Sequence, residues 1–229
     1  MIDNLVIRQA DERDIDFLTE SIIESEKSGT DVVSSCRIFG LTEDKFKEII
    51  GKALLEDIPD YDYFLSGFFI AETEGQYVGS IGSWIENADE TSGIIKTSIL
   101  LPYLDKEKIK EISLNSCLVK GLTVNREPGA LQLEYDYTRK EFRRQGVFSK
   151  LLIEAVVRNK TAHSGVKKVQ VALFKENFKS LNAHIKLGFD IIEERHAGDP
   201  EIFKFFPYDT KLLLEADIEK VVRLNSILR

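Results

Sequence analysis

The run FRRQGVFSKLL, residues 142–152, sets two arginines and a glycine where a strand-like stretch ends and an amphipathic helix begins. Before it, LQLEYDYT (131–138) is rich in strand formers. After it, helical spacing continues to about Arg158, and VQVALF (169–174) is apolar on both faces, as a central strand should be. A helix N-terminus already carries partial positive charge, so each exposed cation there costs about 0.3–1 kcal/mol. A bound anion removes that anomaly. It satisfies the unpaired backbone N–H groups, Gly146 lets the backbone approach it, and Arg143 and Arg144 neutralise it. The plainer alternative is that the arginines reach into solvent. The loop is neither a GxxxxGK[ST] phosphate loop nor a GxGxxG dinucleotide turn.

Elsewhere the order is strand, two helices, three strands, helix, strand, helix, strands. Residues 5–7 read as a short strand. Ile15, Leu18 and Ile22 give a helix over 14–24, and Thr42 caps a second one through Phe46, Ile49, Ile50, Ala53 and Leu54. FFIAE (68–72) and QYVGSIGSW (76–84) form a hairpin around TEG. Residues 86–129 exceed what a hairpin connection needs and contain a short helix at 105–112. A helix from Phe178 stops at Gly188, FDIIEE and TKLLLEA read as strands, and the tail (216–229) is helical. Strand runs interleaved with single helices predict one α+β layered domain with a mixed sheet over residues 1–229.

The 31 basic and 39 acidic residues argue against a general nucleic-acid or anionic-membrane binder. Cys36 and Cys117 stand far apart, and the three histidines show no ligand spacing, so neither a disulfide framework nor a metal is expected. The charged start and the lack of a long apolar run predict a cytoplasmic protein.

The stretch EYDYTRKEFRRQGVFSKLLIEAV resembles the central motif of the GNAT acetyltransferase superfamily, [QR]-x-x-G-x-[GA], here Arg143-Arg144-Gln145-Gly146-Val147-Phe148. Phe148 departs, standing where the family prefers glycine or alanine. ENFKSLNAHIKLGFDII resembles the later motif through Asn177, Lys186, Gly188 and Phe189, with His184 at the usual tyrosine. The resemblance implies a three-layer α/β/α sandwich with a splayed, mostly antiparallel mixed sheet. It implies acetyl-CoA as co-substrate, with pantetheine pairing near Tyr137 and Thr138 and the pyrophosphate on the amides of 144–148. Asn177 and Ser180 are further contacts by motif position, and Ser149 belongs to the same first turn. Asn177 would in any case cap its helix.

Acetyl transfer to an amine needs a base and a proton donor for the thiolate. The resemblance implies a strand carboxylate as base. Glu134 and Asp136 alternate with Leu133 and Tyr135, so both are expected on one face, with Glu134 favoured. His184 could replace the tyrosine acid, or merely bond a neighbour. The polar segment after the first helix, with Glu26, Ser28 and Thr30, is the expected acceptor wall for a cationic or hydroxylated amine of a small molecule or protein. Residues 86–129 would be a lid or a homodimer contact. The expected activity is direct transfer in a ternary complex. The alternative is a non-catalytic acyl-CoA-binding or regulatory module on the same fold.

Overall fold

The computed structural model describes residues 2, 4–87 and 98–224. Strands β1 (Val6–Gln9), β2 (Phe68–Thr73), β3 (Gln76–Ile85), β4 (Leu131–Thr138), β5 (Lys168–Phe174), β6 (Asp190–His196) and β7 (Thr210–Asp217) form one mixed sheet in the order β1-β2-β3-β4-β5-β7-β6. Every neighbouring pair is antiparallel except β4 and β5, which run parallel.

Period-two alternation builds the two faces. On β2, Phe68 and Ile70 face one core while Phe69 and Ala71 face the other. The first core receives Phe17, Leu18 and Ile22 of α1 (Ile15–Glu26) and Phe46, Ile49 and Ile50 of α3 (Glu43–Glu56). The second receives Leu151, Leu152 and Val156 of α5 (Val147–Ala162) and Ile218 and Val221 of α7 (Ile218–Leu224). Burying such a side chain contributes about 1.5–3 kcal/mol. Helices on both faces make the expected α/β/α sandwich.

Two helices differ from the sequence expectation. The short α2 (Ser34–Phe39) lies in a stretch without a readable period and stops at Gly40, whose φ is 62°. α4 (Lys106–Lys120) is longer than the expected 105–112. Asp105 caps it by accepting from the Lys108 N–H at 2.7 Å, and nothing before Gly121 breaks it. α6 (Phe178–Lys186) and the strands fall where expected. Residues 88–97 of the long insertion and 225–229 of the tail lie outside the described residues.

Two features of β4 position the site. It pairs with β5 only from Leu131↔Val169 to Leu133↔Val171, after which the two strands part. Opposite β3, the register slips between Ser80 and Gly82, and Tyr135 takes a φ of 54°. This is a β-bulge with an aromatic residue in the left-handed region, a conformation that costs about 1–3 kcal/mol. Tyr135 is held there by its hydroxyl, which donates to Asp62 Oδ2 at 2.7 Å, and by stacking on Tyr63 and Phe68.

Candidate active site

The strand-to-helix junction is a cradle of backbone donors. Arg144 has φ 63° and Gly146 φ 85°, and Gly146 serves as N-cap of α5 without a side-chain cap. Among the described residues, no backbone carbonyl accepts from the N–H groups of residues 144 to 149. A Cβ at Gly146 would meet nothing within 4 Å, so its backbone angle rather than packing calls for glycine. Arg143 Nε donates to the Thr138 carbonyl at 2.9 Å, and Gln145 Nε2 donates to the Glu141 carbonyl at 3.0 Å. Both arginines are exposed at the cradle's rim.

The parting of β4 and β5 opens a cavity of about 220 Å³. Its β5 wall is the backbone and side chains of residues 171–174, continued by Asn177 and Ser180 at the start of α6. Its β4 wall is Glu134, Tyr135 and Asp136. Its polar lining includes Ser25 and Glu26 in the last turn of α1, Ser28 just after it, and Ser34 and Ser35 opening α2.

The model of the Acetyltransferase (GNAT) family matches residues 36–189. The chain belongs to the GNAT acetyltransferase family. No curated protein matches its sequence. An N-acetyltransferase from Staphylococcus aureus Mu50 superposes with a TM-score of 0.61 at 19% identity, covering 92% of this chain and 100% of that one. An acetyltransferase structure from Salmonella typhimurium with its cofactor acetyl-CoA gives 0.53 at 14% identity, covering 94% and 95%. An aminoglycoside acetyltransferase in complex with coenzyme A gives 0.53 at 14% identity, covering 97% and 99%. These similarities establish the fold, and the family supports acetyl transfer as the general activity.

Within this GNAT chain the two strand carboxylates do not share a face, which corrects the sequence expectation. Leu131 and Leu133 belong to the core under α5, whereas Tyr135 and Tyr137 join the core under α1. The bulge at Tyr135 inverts the alternation, so Glu134 and Asp136 leave β4 on opposite sides. They also meet different partners. Glu134 accepts from the Arg126 guanidinium, which lies 5.0 Å over the Trp84 ring and 3.8 Å from Glu86. Burial pushes the Asp136 carboxyl above the usual carboxylate range, while the His184 imidazole pulls it down. Ser25 Oγ donates to the Asp136 carbonyl at 3.4 Å.

The other candidate residues distribute unevenly. Asn177 caps α6, accepting from the Ser180 N–H at 3.4 Å, and lines the cavity as well. Glu26 lines the cavity and accepts from the Ser35 N–H at 2.9 Å and the Ser35 hydroxyl at 2.6 Å, so it also caps α2. Ser28 lines the cavity with φ 51°. Thr30 is not among the lining residues. Its hydroxyl donates to the Lys27 carbonyl at 2.7 Å and accepts from the Val32 N–H at 3.0 Å within the turn. His184 is fully buried in α6 and does not line the cavity either.

Sequence reasoning missed Arg126, Ser34, Ser35 and Lys211. Arg126 lies in the long insertion, and Lys211 borders the cavity from β7. Charge was the one available signal. Arg126 lies between Asn125 and Glu127 with no periodic pattern to point it inward. Among the described residues, no group of three or more metal-ligating side chains occurs, and no helix is long and apolar enough to cross a membrane.

Proposed function

We propose that this chain transfers an acetyl group from acetyl-CoA to an amine of a small-molecule or protein acceptor, by direct attack in a ternary complex. The observation that carries the reading is that β4, whose parting from β5 opens the cavity, leads directly into the donor cradle at Gly146. The residues present fit acetyl-CoA. The N–H groups of 144 to 148 and the two exposed arginines suit a pyrophosphate, with Val147, Phe148 and Ser149 supplying the first helical turn. The free edge of β4 past Leu133, near Tyr137 and Thr138, suits the amides of pantetheine, and Asn177 and Ser180 border the cavity. Acetyl-CoA supplies an activated thioester.

The protein's part is to orient the amine and to move its proton. A free alkyl amine has a pKa of about 10.4, so a base must help. Asp136 is better suited than Glu134. It borders the cavity with its carboxyl pushed up by burial, whereas Glu134 is engaged by Arg126. Glu134, Glu26 and Ser28 then serve the acceptor, and Thr30 serves only its turn. An acyl-cysteine route finds no support. Cys36 is buried, its thiol pushed up to about 12 by burial and by the negative charges of Glu26 and Glu43. Two free cysteines suit a reducing cytoplasm.

CoA binding without turnover is the second reading, and the burial of His184 away from the cavity favours it. The two are separated by thiol release from acetyl-CoA in the presence of a panel of amines, including polyamines, amino sugars and peptides. Amine-dependent release is the expected result. Binding of acetyl-CoA with no release on any amine would leave only the second reading.

A further inference from the structure

Ser34 carries a hydroxyl that the protein does not use. The residue is 9% exposed, its Oγ is buried, and that oxygen has no hydrogen-bond partner among the described residues. It does not cap α2, whose N-cap is Val33. Two other serines at the cavity differ. Ser35 Oγ donates to Glu26 Oε1 at 2.6 Å, and Ser25 Oγ donates to the Asp136 carbonyl at 3.4 Å. Burying a hydroxyl without a partner is costly. Ser34 lines the cavity, so a molecule bound there can supply the partner.

Charge decides which kind of group that is. Glu26, Glu134 and Asp136 line the cavity, and Lys211 is the one cationic side chain among the described lining residues. A carboxylate on the ligand would meet this acidic lining. A hydroxyl would serve Ser34 and bring no charge to it. An ammonium does both, having three donors and no acceptor. We infer that Ser34 and Glu26 form a subsite for a second ammonium, and that the acceptor is a short aliphatic diamine whose other nitrogen is presented to Asp136. This rests on the reading of the cavity as the acceptor site for acetyl transfer. One donor of the distal ammonium goes to Ser34 Oγ and another to Glu26. Each Glu26 oxygen already accepts one bond from Ser35, which holds the carboxylate in place and leaves it further lone pairs. The distal amine stays charged near neutral pH, its ordinary pKa being about 10.4. Ile38, Leu173, Phe174 and Phe206 also line the cavity and suit a methylene chain. The Ser25 bond ties the last turn of α1 to β4, which keeps the span from Glu26 to Asp136 short.

The test is calorimetric titration of four amines of equal length into the protein, alone and with CoA present, so that binding is read without turnover. Diaminobutane, butylamine, aminobutanol and aminobutyrate differ only in the far group. Diaminobutane should bind at least about tenfold more tightly than the other three. Ser34→Ala should weaken diaminobutane about tenfold and butylamine far less, and Glu26→Gln, which keeps an acceptor for Ser35, should do the same. Ser34→Ala should be no less stable than the wild type in urea, because no bond within the protein is lost. Equal affinity for the four amines, tightest binding of aminobutanol or aminobutyrate, no binding of any, or a Ser34→Ala variant that keeps the full preference would overturn the subsite. So would a destabilised Ser34→Ala, which would mean that the hydroxyl has a partner in the protein. Thiol release from acetyl-CoA keeps the two failures apart. Selective diaminobutane binding with no release would remove acetyl transfer and leave the subsite standing.

Discussion

The two ends of the cleft are built by different means. The donor end, at residues 143–149, is made of backbone. It consists of unpaired N–H groups, two left-handed residues and a helix start, all within one short segment. The acceptor end is made of side chains from distant elements, namely Glu26 at the end of α1, Ser34 and Ser35 of α2, Glu134 and Asp136 of β4, and Lys211 of β7. Arg126 from the insertion then reaches in to engage Glu134. Backbone geometry tolerates almost any side chain that keeps its dihedral angles, so the donor end can stay constant while the acceptor end changes substrate.

That contrast is broken most severely at Gly146. Gly146→Trp forces a bulky residue onto φ 85° and into the cradle, and acetyl-CoA binding measured by calorimetry should fall more than about 100-fold. Asp136→Asn attacks the other end. It should lower the turnover rate by about 10²–10⁴-fold while leaving acetyl-CoA affinity within a factor of about two. Rates in the wild type should drop as pH falls through a midpoint above the usual carboxylate range, because the anionic form of Asp136 is the base and burial raises its titration.

Arg126→Ala removes the cation from a mostly buried pair and should destabilise the fold by about 3 kcal/mol in urea unfolding. Unchanged stability would mean that the insertion contributes nothing to the acceptor wall. Arg144→Ala should weaken acetyl-CoA binding by up to about fivefold, less so at high salt, since this arginine is exposed. Thr30→Val should change turnover by less than about twofold, its hydroxyl being used inside its own turn.

The same division decided what could be read in the sequence. The junction around Gly146 was legible because turn chemistry is local, with a strand, a glycine and a helix in succession. The core faces of β2, α1, α3 and α5 were legible because burial follows a period. Glu134 and Asp136 were misjudged because alternation holds only in a regular strand. Nothing in EYDYT announces that Tyr135 will enter the left-handed region, since the reason lies at Asp62, far away in the chain. His184 was readable as a departure from a motif, but its tautomer depends on the Ser180 carbonyl and its burial on Phe148 and Phe189. Arg126 was illegible because an ion pair across the fold leaves no periodic trace.

The most direct measurement is a calorimetric titration of acetyl-CoA into the wild-type protein and into Gly146→Trp, with CoA alongside. The account predicts saturable binding near one per chain in the wild type and none in the variant. Absence of binding to the wild type at high micromolar concentration, or equal binding to both, would contradict the assignment of the cradle.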